Sequence, residues 1–222
     1  MRIALLGGTG DIGEGLVLRW AYDASHDLVV GSREAERAEA KAEGYEAELD
    51  SRGVDVDIEG TENAAAVDGA DLVVLGVPAY HLADTIDAVA DSLADDAILV
   101  TPAVGMKRDE AGFHYNQPGV GSVTELAAEA APDDVPVVGA FHNLPAGRLA
   151  NLDADLGIDT AIVGDDGDAV ETVTAIAEDI EGLRAVDAGP LENAAEIEAI
   201  TPLLINVAKN NEGMHDLGVR FQ

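Results

Sequence analysis

Apolar runs and amphipathic stretches alternate along the chain and divide it into strands and helices. Residues 2–6 form a short apolar run closed by glycines, and 11–23 carry Ile12, Leu16, Arg19 and Trp20 at helical spacing. A strand is predicted over 27–30, a helix over the Ala- and Glu-rich 33–49, and an alternating edge strand over 54–58. The run DLVVLGV at 71–77 reads as a buried strand. Residues 81–93 place Leu82, Ile86, Val89 and Leu93 on one stripe, and 97–100 form the next strand. Residues 103–121, AVGMKRDEAGFHYNQPGVG, are dominated by Gly, Pro and polar side chains and read as a functional loop. Beyond it the pattern predicts a helix over 122–131, a strand over 135–141, strands at 160–163 and 185–187, and a helix over 169–180 between them. Helix resumes from 191, with Ile197, Ile200, Leu204 and Val207 in register and Pro202 either kinking it or lying near its start. Strands spaced by single helices imply right-handed crossovers, so the expected class is α/β, a doubly wound parallel sheet with a small C-terminal helical extension.

Charge changes the picture of the surface. The chain has 44 acidic and 12 basic side chains, a net charge of −32, with the acids spread along its whole length. Apolar residues still make up 47%, enough for a core. Such a surface repels phosphates, which argues against nucleic acid as a partner, and it argues equally against an anionic membrane. Lys41, Lys107 and Lys209 are the only lysines. An acidic, lysine-poor, ordered chain reads as a cytoplasmic protein of a salt-loving cell, where ~1 M salt cuts the Debye length to ~3 Å; an ordinary acidic protein is the alternative. The lack of cysteine excludes disulfides, thiol catalysis and cysteine metal sites. No apolar run approaches the ~18 residues of a membrane span, and the opening MRIALLGGTG reads as structure rather than as a secretion signal.

The candidate chemistry starts at the first turn. Gly8-Thr9-Gly10-Asp11-Ile12-Gly13 fits G-x-G-x-x-G directly after a strand and at the opening of a helix, the context that motif requires. Gly8 permits the tight turn, Gly10 lets the backbone approach a pyrophosphate, Gly13 lets helix and strand pack closely, and Asp11 is a candidate N-cap. The second strand ends in Gly31-Ser32-Arg33, where NAD-binding proteins usually carry the Asp or Glu that accepts from the ribose hydroxyls. A 2′-phosphate needs donors instead. Ser32, Arg33 and Arg37 supply them, with the two guanidiniums four residues apart on one helix face and planar forks suited to phosphate. NADP is therefore expected over NAD, unless the arginines merely pair with Glu36 and Glu39.

Other chemistries are missing. None of the four tyrosines has a lysine four residues on, His26, His81, His114, His142 and His215 are scattered without metal-ligand spacing, and no G-x-S-x-G occurs. No catalytic side chain and no metal ligand is assigned. A carbonyl reductase usually needs a proton donor, so its apparent lack favours hydride transfer between two cofactors.

Taken together, MRIALLGGTGDIGEGL, VVGSR, AFHNLPAGRLANL, DAGPLENA and GMHDLGVRF resemble the NADPH-dependent coenzyme F420 reductases, which pass hydride between NADP and an 8-hydroxy-5-deazaflavin. The resemblance runs from the first residue to the last. It implies that Thr9, Gly10, Asp11 and Ile12 bind the diphosphate and that Ser32 and Arg33 hold the 2′-phosphate, with Arg37 standing where the family has a basic residue. It further implies that Pro78, Ala79 and Ala83 flank the adenosine and ribose, that Met106 and Ala146 border the nicotinamide, and that His142, Val104 and Leu217 line the deazaflavin pocket. Residues 1–189 are then the dinucleotide-binding domain, and 190–222 are a helix and tail that close the second pocket. His142 reads either as a polar contact to a ring or as a satisfied core residue. Lys107-Arg108, the only adjacent basic pair, either attracts the anionic deazaflavin tail or faces Asp109 and Glu110 in solvent. The apolar face around Leu204 either pairs across a homodimer or completes the monomer's core. The alternatives to a hydride exchanger are an NADPH reductase of a small oxo or imino acid, and a non-enzymatic NADP-sensing module.

Overall fold

A computed structural model describes residues 1–222. In chain order the elements are β1 (Arg2–Leu6), α1 (Asp11–Asp23), β2 (Asp27–Ser32), α2 (Ala35–Ser51), β3 (Ile58–Glu62), α3 (Asn63–Val67), β4 (Leu72–Leu75), α4 (Leu82–Val89), β5 (Ile98–Thr101), β6 (Met106–Asp109), β7 (Gly112–Tyr115), α5 (Val123–Ala130), β8 (Val137–Gly139), α6 (Ala146–Ala150), β9 (Ile158–Gly164), α7 (Gly167–Glu178), β10 (Leu183–Asp187), α8 (Ala194–Glu198) and α9 (Ile200–Asn210).

Eight strands form one sheet in the order β10-β9-β8-β5-β4-β1-β2-β3. The central strands β4 and β5 are buried along their whole length, as parallel strands with helices on both faces must be. A cluster of 33 buried residues fills one face of the sheet and a cluster of 16 fills the other. In α2 only Ala38, Ala42, Tyr45 and Leu49 are buried, an i, i+4 stripe that leaves the acidic remainder in solvent. Trp20 in α1 is fully buried, donates its indole N–H to the Ile176 carbonyl at 2.8 Å, and meets Phe141 edge-on with centroids 5.8 Å apart. From β1 the chain winds outward through β2 and β3, then crosses back to β4 and winds the other way. The reversal opens a crevice beyond the carboxyl ends of β1 and β4, where ligands bind in such sheets.

The doubly wound class is observed, with local departures. The sheet is parallel as far as β8, but β9 runs antiparallel to β8 and carries β10 with it. The edge strand begins at Ile58 rather than Val54, because its partner β2 starts at Asp27 and the register pairs Leu28 with Ile58, leaving 54–57 beyond the ladder. The stretch 103–121 holds a hairpin, β6–β7, with Met106 opposite Tyr115. The C-terminal helix breaks at Ala199, and Pro202 sits in the first turn of α9, where a missing N–H costs little.

Candidate functional site

The turn after β1 is shaped by close approach. A Cβ on Gly13 would lie 2.6 Å from the Gly8 Cα and 2.9 Å from the Gly7 carbonyl oxygen, so only glycine lets α1 start against the loop. Gly10, not Asp11, is the N-cap of α1, and Asp11 is its first helical residue. The Gly8 and Gly10 N–H groups are spent on Leu5 and Gly7, whereas those of Thr9, Asp11, Ile12 and Gly13 find no acceptor in the chain. Four free donors at the start of a 13-residue helix make an anion cradle. Behind the loop, buried Tyr45 donates its hydroxyl to the Gly8 carbonyl at 2.7 Å, fixing the turn from α2.

Beside this cradle lies a polar cleft of about 490 Å³, lined by Thr9, Gly10, Ser32, Arg33, Arg37 and Pro78 among others. Arg2, Arg52 and Arg184 pair with carboxylates, but Arg33 and Arg37 do not. Pairing with Glu36 or Glu39 is therefore not what occupies them. Because α2 begins at Ala35, the two guanidiniums do not share a helix face; one comes from the strand end and the other from the first helical turn. Asn63 and His81 also line this cleft, and the sequence offered no motif for either. Ala79 and Ala83 are set back from it: His81, Asp84 and Thr85 from the same segment face the cavity instead.

A second cleft of about 810 Å³ adjoins the first and shares Gly10, Gly76, Val77 and Pro78 with it. Asp11, Ile12, Val104, Met106, His142, Ala146 and Leu217 converge on its wall, so the structure brings together residues spread over two hundred positions. Its lining is largely apolar, with Phe141, Leu144, Leu204 and Ile205 added to those read from the sequence. Phe141 adopts φ 66°, which ends the strand of β8 two residues earlier than expected and turns His142 toward the cleft. His142 is buried, and burial pushes its imidazole down to about 4, so the ring is neutral at neutral pH. Two supports fix this wall. Thr201 donates its hydroxyl to the His142 carbonyl at 2.7 Å, and buried Arg19 donates to the carbonyls of Leu149, Asn151 and Ala154, clamping the segment that follows α6.

Positive charge reaches the second cleft from Lys209, not from the adjacent basic pair. Lys107 and Arg108 are exposed on the hairpin and line neither cleft; the Arg108 guanidinium lies 5.5 Å from the Phe113 ring centre. The tail closes one side. His215, Asp216 and Leu217 line the cleft, and the Asp216 carboxylate packs where a Cβ on Gly147 would stand.

The chain's residues 2–105 match the family model described as NADP oxidoreductase coenzyme F420-dependent. An F420-dependent NADP reductase of Methanothermobacter thermautotrophicus is 36% identical over the whole of this chain and 94% of its own. That of Methanocaldococcus jannaschii is 37% identical over 93% of this chain and 92% of its own. Among solved structures, a candidate F420-dependent NADP-reductase from Arthrobacter sp. FB24 superposes with a TM-score of 0.79 at 21% identity, covering 100% of this chain and 99% of that one. A pyrroline-5-carboxylate reductase from Coxiella burnetii reaches a TM-score of 0.54 at 17% identity over 83% of this chain and 58% of its own, a likeness of fold alone. Full-length identity above one third with proteins of a single description, on a chain whose glycine turn and polar cleft lie next to a larger apolar cleft, places this chain in the family of F420-dependent NADP reductases.

Proposed function

We propose that this protein is an oxidoreductase that exchanges a hydride between NADP(H) and the deazaflavin coenzyme F420. The observation that carries this reading, beside the family, is the pair of adjoining clefts: one polar, with unpaired arginines and free backbone donors, the other apolar and large enough for a second ring system. The residues fit the groups. Thr9, Gly10, Asp11 and Ile12 would hold the diphosphate on backbone N–H groups, with Gly8 and Gly13 shaping the turn; Ser32, Arg33 and Arg37 would hold the 2′-phosphate, and Pro78 would border the ribose. Met106 and Ala146 would border the nicotinamide, and Val104, His142 and Leu217 the deazaflavin.

When bound, the two cofactors would themselves supply the chemistry, a direct hydride transfer from one ring to the other. The chain's part is to align and to dry. The glycine turn and the arginines set the dinucleotide along the carboxyl ends of β1 and β2. The wall from Phe141 to Ala146 and the face of α9 confine the space beside it. Neutral His142 offers no charge there, in keeping with a reaction that needs no acid from the protein.

Residues 1–189 serve as the dinucleotide-binding domain in this reading, and 190–222 close the second pocket through Thr201, Leu204, Ile205 and the tail. No helix is long and apolar enough to cross a membrane, and a cytoplasmic location fits the acidic composition. The α9 face carries Leu203 at 59% exposure, which favours pairing of two copies through this helix. Sedimentation equilibrium should show a dimer that Leu203→Glu splits; a wild-type monomer would refute the pairing.

Mixing reduced F420 with NADP and the protein should restore the visible absorbance of oxidised F420 in step with formation of NADPH. Absorbance that changes only on addition of a small imino acid would favour a carbonyl- or imine-reducing activity, and no change at all would favour a sensor.

A further inference from the structure

Glu198 is the one fully buried carboxylate among the buried polar groups with no accessible surface, and the reaction described above makes no use of it. It ends α8 and accepts four hydrogen bonds. One oxygen takes the Tyr115 hydroxyl at 2.8 Å and the Val123 N–H at 3.1 Å; the other takes the Thr124 N–H at 3.0 Å and the Thr124 hydroxyl at 3.0 Å. The Thr124 oxygen lies in turn 3.3 Å from Nε2 of His142. On the far side of the ring, Nδ1 is buried and has no partner in the chain. The imidazole can fold back to Thr124 only because residue 139 is glycine. A Cβ there would lie 2.9 Å from His142 Cε1 and 2.9 Å from Thr124 Cγ2.

Counting protons along this row fixes its direction. Burial pushes the Glu198 carboxyl up, and against that two backbone N–H groups, one on each oxygen, and the two hydroxyls favour its ionised form, which only accepts. The Thr124 hydroxyl has a single proton, which it gives to Glu198, so its oxygen can only accept from His142. The histidine must then carry its proton on Nε2 and keep Nδ1 as a bare lone pair. Had Glu198 been absent or protonated, Thr124 could have turned its proton to Nε2 and moved the imidazole proton to Nδ1.

We propose that Glu198 is a positioning residue of the hydride-transfer site: acting through Thr124, it holds His142 as the Nε2–H tautomer in one ring orientation, so that the wall of the second cleft presents a fixed, uncharged imidazole and no transferable proton. The proposal rests on the hydride-exchange reading for its purpose, but the proton arrangement itself is independent of any activity. Glu198 also joins three separate parts of the wall. Tyr115 ends the hairpin that starts with Met106, Val123 and Thr124 open α5, and His142 follows β8, so one carboxylate sets the mutual placement of the hairpin, the helix start and the ring.

The test is nitrogen-15 NMR of the histidine-labelled, cofactor-free protein at neutral pH, with the His142 signals assigned by their loss in His142→Gln. The wild type should show a proton-bearing Nε2 and a pyridine-type Nδ1. Thr124→Ser keeps the hydroxyl and should keep that pattern, whereas Glu198→Gln, which frees the Thr124 proton for Nε2, should lose it. In the hydride assay kcat should fall about tenfold in Thr124→Val, the scale of one lost hydrogen bond, with the NADP KM unchanged and with Thr124→Ser restoring the rate. A wild-type spectrum with the proton on Nδ1, or on both nitrogens, overturns the proposal without any variant having to fold. A pattern unchanged in Glu198→Gln overturns it as well. Failure of the hydride assay with an intact tautomer pattern would count against the proposed reaction and leave the arrangement standing.

Discussion

Arg33→Ala/Arg37→Ala should raise the Kd for NADP by about 100-fold and leave the Kd for NAD within about threefold. A charge-assisted hydrogen bond to phosphate contributes about 1.5–3 kcal/mol, and two arginines therefore span about two to four decades in affinity. Both side chains are exposed, so solvent and salt screening place the loss near the lower end. The effect is directional because the cleft holds no carboxylate where a ribose-reading acid would stand, and Ser32 is the other donor at the strand end. Neither arginine is committed to an ion pair in the free protein, so nothing is left unpaired when they are removed. Titration calorimetry with both dinucleotides reads the result. An unchanged ratio of the two dissociation constants would mean that the corner does not select the extra phosphate.

Removing the tail, residues 214–222, should raise the F420 KM by about 10- to 100-fold while the NADP Kd stays within about twofold. Leu217 lines the second cleft but not the first, and losing the burial of one leucine side chain costs about 1.5–3 kcal/mol. The tail is held by a clasp that the hydrophobic pattern does not announce. Asp159 in β9 is buried; its carboxylate accepts from Arg184 Nε at 2.9 Å and Nη2 at 2.6 Å and from the Phe221 N–H at 2.6 Å, while its own N–H donates to the Val219 carbonyl at 2.7 Å. Arg184 first, and then the Phe221 N–H, hold this carboxyl below the usual aspartate range. A depressed pKa in the folded state means that the clasp contributes fully above the ordinary aspartate value and is lost as pH falls through the lower, folded one. The tail should therefore stay docked at neutral pH and loosen only in acid. Asp159→Asn is the gentler version, expected to raise the F420 KM in the same direction. Steady-state kinetics on both forms would expose the error if KM for F420 were unmoved.

The glycine turn shows how far local pattern carries. Gly8, Gly10 and Gly13 could be assigned their tasks from spacing alone because each task is short-range: a turn, a backbone approach, a helix packed on its own preceding strand. The same holds for Ser32 and Arg33, which follow β2 directly. His142 and Leu217 came from likeness to a family rather than from pattern, since nothing in VVGAFH says that Phe141 will take a positive φ and swing the next residue to the cleft. Of the two readings of Lys107-Arg108, the structure matches the exposed pair, which lines neither cleft. A strand sends successive side chains to opposite faces, and once 106–115 is a hairpin, adjacency in sequence no longer means a shared direction. Ala79 and Ala83 were displaced by the short helical turn at 79–81, which rotates His81 and Thr85 to the cavity in their place.

What the sequence determined by itself was whatever depends on neighbours a few residues apart: most of the strand and helix succession, the glycine turn, the basic corner after β2, and the acidic surface. Periodicity and turn chemistry act over that range, and burial follows from them. The tertiary structure alone decided the contacts that span the chain: Asp159 clasping the C-terminus, Arg19 clamping the segment after α6, and Glu198 reaching Thr124 and, through it, His142. A buried charge is placed by partners that arrive from distant elements, and no local pattern encodes which of the many acids in a chain of net charge −32 will be the one they surround.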